Sequence, residues 1–198
     1  MIASSRLAGA AAFLVGTSIS VARAQTPTIP PAEQQIAAAI LPLPADARSS
    51  ATVLGYGADG KLTTLRKGTG TMICLADDPK LAQFHVACYH EAMEPFMARG
   101  RALRASGVTG TQVDSVRFRE AKSGALKVPN HPASLYSLTG GSFDPATGTA
   151  PGARWLYVVY IPYATTASTG LSDKPQDGAP WIMFPGTPKA HIMFTPRM

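Results

Sequence analysis

Cys74 and Cys88 are the only cysteines in the 198-residue chain, and their state decides much of what it can fold into. Joined, they close a loop of 15 residues counting both ends, a restriction on the unfolded chain of about 3 kcal/mol in the chain-entropy account. Left free, they are candidates for metal thiolates or redox thiols. The chain has no C-x-x-C, so the redox reading lacks its usual motif. Compartment separates these alternatives, because paired cysteines outside the reducing cytosol form disulfides.

The N-terminus speaks to compartment. Residues 1–6 carry one positive charge, Arg6, and residues 7–21 (LAGAAAFLVGTSISV) are apolar and small. That run falls short of the roughly 20 residues a membrane span needs. Ala22-Arg23-Ala24 then places small residues at the two positions a signal peptidase reads. The pattern predicts a signal peptide over 1–24, delivery to the periplasm or the exterior, and a Cys74–Cys88 disulfide. No cysteine follows the expected cleavage site, and no later segment is apolar and long enough to span a bilayer, so stable membrane insertion after cleavage is not expected.

Removing 24 of 198 residues leaves 174, the size of one domain with a substantial core. Without Arg6 and Arg23 the balance is 16 basic against 12 acidic residues, a scattered net charge of +4. It contains no basic block of the kind nucleic-acid partners require. Arg99, Arg101 and Arg104 cluster, and a solvated helix face accounts for them.

Residues 25–50 read as a proline-rich tether and a short helix over 32–41, with a helical turn around Asp46. Residues 51–198 read as a single α+β domain. Runs of period two (ATVLGY, KLTTLR, TMICL, then 84–88) predict four strands, the first two joined by an Asp59-Gly60 hairpin turn. Met93, Phe96, Met97, Gly100 and Leu103 recur at helical spacing and predict the main helix over about 91–106. Further strands are expected at 112–119, 126–128, 134–138, 155–161, 181–184 and 191–194. No βαβ rhythm is present, and the expected architecture is an antiparallel sheet of several short strands with one main helix and a short N-terminal one.

Most catalytic motifs fail on context. Gly55-x-Gly57-x-x-Gly60 has dinucleotide spacing, but a strand follows it where a helix must open. Lys67-Gly68-Thr69-Gly70-Thr71 lacks the phosphate-loop pattern, and neither a nucleophile elbow nor a haem-attachment motif occurs. No cofactor is therefore assigned.

The histidines give the candidate site residues. His85, Cys88 and His90 lie close together, with Cys88 and His90 on one strand face and His85 on the other, and oxidation of Cys88 removes it as a ligand. His90 and Glu94 stand at i, i+4, as an acid–base or ligand pair or as ordinary capping chemistry. His191 and Met193 share a strand face, with Met183 and Met198 nearby, a set of soft donors that suits copper or plain core packing. Trp155, Tyr157, Tyr160, Tyr163 and Trp181 enrich the C-terminal half in aromatics, and residues 165–172 are rich in hydroxyls.

The stretches ATVLGYGADGKLTTLRKGTGTMICLADDP, FHVACYHEAMEPFMARGRAL, VVYIPYATTASTGLS and PWIMFPGTPKAHIMF resemble a group of uncharacterised exported bacterial proteins, over about 43–194. The resemblance implies export and carries over no activity or catalytic residue. The leading expectation is an exported, disulfide-tied domain that binds a small molecule or a cell-envelope component. The alternatives are a periplasmic enzyme, with or without a metal, using His90, Glu94 and His191, and a copper-handling or electron-transfer protein using His191 and Met193.

Overall fold

Cys74 and Cys88 face each other on neighbouring antiparallel strands and are joined, with Cα atoms 3.9 Å apart. This is seen in a computed structural model that describes residues 28–195; the expected signal peptide and Met198 lie outside them. The elements run α1 (Ala32–Ala39), α2 (Ala45–Arg48), β1 (Thr52–Tyr56), β2 (Leu62–Arg66), β3 (Met72–Leu75) and β4 (His85–His90). A 3₁₀ turn (Glu91–Met93) leads into α3 (Glu94–Ala105). Then come α4 (Thr111–Lys122), β5 (Ala133–Thr139), β6 (Arg154–Tyr160), α5 (Thr166–Thr169), β7 (Trp181–Met183) and β8 (His191–Phe194).

The strands form one eight-stranded sheet, ordered β2-β1-β3-β4-β5-β6-β8-β7. β1 and β2 are the expected hairpin: Gly60 takes φ +72 at its turn, a conformation glycine adopts without steric cost. The chain then crosses the start of β1 to reach its other side, so β3 runs parallel to β1. The crossing is tight. Gly70 N–H donates to the Ser50 carbonyl at 2.8 Å, and a Cβ on Gly68 would stand 2.5 Å from the Thr52 nitrogen. Those glycines serve a close backbone passage, not a phosphate.

The sheet is covered on both faces. α1 and α2 lay Ala39 and Leu43 over Val53, Cys74 and Cys88, so the disulfide is fully buried beneath α1. On the opposite face Phe96 of α3 joins Tyr89, Val158 and Tyr160, with Phe118 and Ala121 of α4 packed against them. Ala38, Phe84, Val86, Leu138 and Ala153 make a third cluster at the end of the sheet where β4 begins.

The α+β class holds, and four expectations need correction. The sheet is mixed rather than wholly antiparallel. The chain has two main helices of 12 residues, because 112–119 lies in α4 and not in a strand. Its buried stripe includes Val113 and Arg117, so a charged residue sits where an apolar period would be sought. Arg117 is tolerated there because its guanidinium lies 4.0 Å over the Phe96 ring, pairs with Asp114 and donates to the Phe96 carbonyl. Residues 126–128 form no strand; Leu126 and Val128 pack in the core as loop. Residues 32–48 are core elements of the domain rather than a segment ahead of it.

Candidate functional site

A concavity opens over the third cluster, between α1, the 76–84 loop and the 140–153 lobe, with a volume of about 400 Å³. Each wall has its own anchor. Gln35 ties α1 to β1: its amide donates to the carbonyls of Pro30 (2.8 Å) and Tyr56 (2.9 Å) and accepts from Tyr56 N–H at 2.8 Å. The 76–84 loop is pinned by His85 N–H donating to Asp77 Oδ1 at 2.8 Å, and by Asp78 accepting from Lys80 N–H at 3.0 Å. The lobe folds on itself through the Asp144–Thr149 bridge, with Thr147 donating to Asp144 at 2.9 Å. At Gly141, φ +62, a Cβ would lie 2.7 Å from Ala153 N, so only glycine fits that fold-back.

Phe84, Phe143 and Leu81 give the cleft its apolar surface, while Gln34 and Ser142 offer an amide and a hydroxyl. Asp77 is the only ionisable residue on its wall. Burial raises the Asp77 carboxyl above its ordinary value, against the pull of the His85 N–H. No lysine or arginine among the described residues pairs with it, and the nearest basic group is the His85 imidazole. A concave, mostly apolar site with a few fixed polar groups is the usual form of a small-molecule site.

The three candidate catalytic residues are not brought together. His90 and His191 stand on β4 and β8, with β5 and β6 between them, about 14 Å of strand spacing. Their side chains also leave opposite faces, His90 with Cys88 and His191 with Tyr160. His90 Nδ1 accepts from Ala92 N–H at 3.2 Å and caps the 3₁₀ turn. Glu94 turns to the other face, accepting from Arg101 at 2.6 Å and from the Tyr89 hydroxyl at 2.5 Å. Arg99 pairs with Glu120 at 2.6 Å, so two of the three clustered arginines work within the fold.

His191 is 5% exposed, its ring 4.8 Å from that of Tyr160 and 5.9 Å from Phe184. Its Nδ1 lies 2.6 Å from the Lys189 carbonyl, so that nitrogen carries the proton and Nε2 holds the lone pair. Burial holds it below the ordinary histidine value. Met183 is its direct partner across β7 and β8, and Met193 follows on the same face, packed against the core. No group of three His, Cys, Asp or Glu among the described residues is arranged to hold a metal. The Thr165 and Ser168 hydroxyls cap each other's backbone in α5, which accounts for part of the hydroxyl-rich run.

The sequence offered no direct signal for the cleft. Its walls come from three separated segments, and Asp77 reads locally as the end of a strand. No family model, curated protein or solved structure matches this chain.

Proposed function

We propose that this chain is an exported small-molecule binding protein whose site is the cleft between α1, the 76–84 loop and the 140–153 lobe. One observation carries the reading: a concave site of about 400 Å³ with Phe84 and Phe143 on its wall, beside a half-buried carboxylate that has no lysine or arginine partner among the described residues. The signal-like start and the buried disulfide support export. The test is retention of small molecules by oxidised protein recovered from the cell envelope, read by native mass spectrometry. Ala82→Trp, at an exposed residue on the rim, blocks the cleft without touching the core. The parent retains a bound mass that the variant loses; equal retention, or none in either, overturns the reading.

A second reading, copper handling, draws on Met183 opposite His191 and Met193 on the same face. It requires a rise in melting temperature with Cu(I) that His191→Gln abolishes. An unchanged melting temperature removes it.

A further inference from the structure

We infer that the cleft selects a small organic monocation, an ammonium group carried on an apolar body about the size of one ring; this rests on the cleft being the binding site. Charge, geometry and chemistry agree on the class.

Asp77 is the single ionisable group on a wall otherwise made of apolar, amide and hydroxyl residues, so no lysine or arginine there would receive an anion. Its Oδ1 is held by the His85 backbone N–H, which fixes the carboxylate without neutralising it. Asp78 stands next to it and adds negative charge, while the neighbouring His85 imidazole opposes it when protonated, so the cleft is anionic with His85 neutral. Taking a carboxylate partly out of water costs free energy that an incoming cation offsets. A divalent metal does not suit the site: the cleft offers one carboxylate, and the His85 ring is engaged by the Thr139 hydroxyl at 2.8 Å. Phe84, Phe143 and Leu81 set the apolar part of the ligand. Gln34 and Ser142 remain to take its hydrogen-bonding groups. Gln35 does not, because all three of its polar contacts are spent on the backbone. A volume of about 400 Å³ lies toward the lower end of ligand pockets and suits a compact molecule.

The experiment titrates three matched probes into intact, oxidised protein and follows backbone amide shifts: phenethylammonium, 2-phenylethanol and phenylacetate. Asp77→Asn keeps an oxygen to accept the His85 N–H, so it removes charge and leaves the loop anchored. The expected result is that phenethylammonium shifts Asp77, Phe84 and Phe143 and binds at least tenfold tighter than the alcohol, as a charge-assisted hydrogen bond should provide. Phenylacetate is weakest, and the tenfold preference vanishes in Asp77→Asn. If the alcohol binds as well as the ammonium, or Asp77→Asn keeps the preference, the cation assignment is overturned while the cleft remains a binding site. If none of the three shifts the cleft, both this inference and the reading beneath it fail.

Discussion

Replacing Gln35 by alanine tests whether α1 is held to the sheet as described. The side chain is 6% exposed and makes three hydrogen bonds of 2.8 to 2.9 Å, two of them to the backbone of Tyr56. Each is worth roughly 0.5–1.5 kcal/mol net, and a buried group left unpaired costs more, so the loss should be about 2–4 kcal/mol. For a domain of this size each kcal/mol moves the melting temperature by roughly 2–4 °C, giving a drop on the order of 5–15 °C. Gly55 supplies a second view of the same joint. A Cβ there would sit 2.4 Å from Leu65 Cδ1 and 2.7 Å from Gln35 Oε1, so Gly55→Ala should destabilise in the same direction by crowding both side chains. The control is Gln34→Ala at the exposed neighbour, expected within about 0.5 kcal/mol of the parent. Urea titration and thermal melts read all three. If Gln35→Ala behaves like Gln34→Ala, the amide is not what fastens the helix, and the cleft loses its best-anchored wall.

Reducing the disulfide, or replacing Cys74 and Cys88 by serine, should lower stability by about 3 kcal/mol, seen as an earlier urea midpoint; an unmoved midpoint would show that the tie constrains little. Gly100→Ala should reverse the usual sign. Alanine ordinarily gains about 0.8–1 kcal/mol over glycine in a helix, but here a Cβ meets the Arg117 guanidinium at 2.9 Å, and that group is buried and bonded to Phe96. A net loss of about 1 kcal/mol is expected in denaturant, and a stabilised variant would refute the packing described. Burial holds His191 below the ordinary value of 6.5, so the unfolded chain binds that proton first on acidification. Its stabilising effect is complete above about pH 6.5 and lost as pH falls from there toward the folded value. His191→Phe should flatten that part of the pH–stability curve, and an unchanged curve would contradict the assignment.

Much of the architecture was legible in local pattern. Period-two runs located β1 to β4, further strand-like runs located β5 to β8, Asp59-Gly60 marked the first turn, and the stripe from Met93 to Leu103 marked α3. α4 was hidden because one position of its buried stripe is Arg117, whose burial depends on Phe96, in another helix, and on Asp114. The parallel β1–β3 pair was hidden because it follows from where the 67–71 crossing passes, which only the Gly68 and Gly70 contacts reveal. The site was the least legible part. His90 and Glu94, four residues apart, look like a pair on one helix face. A strand end and a 3₁₀ turn intervene and send them to opposite sides of the sheet. Asp77, by contrast, acquires its environment from α1 and the 140–153 lobe, both distant in sequence.

The most direct measurement compares amide spectra of oxidised protein recovered from the cell envelope before and after unfolding, dialysis and refolding to strip bound molecules. A ligand in the cleft predicts shifts confined to the neighbourhood of Asp77, Phe84 and Phe143. Superimposable spectra, or changes centred instead on His191, would contradict it.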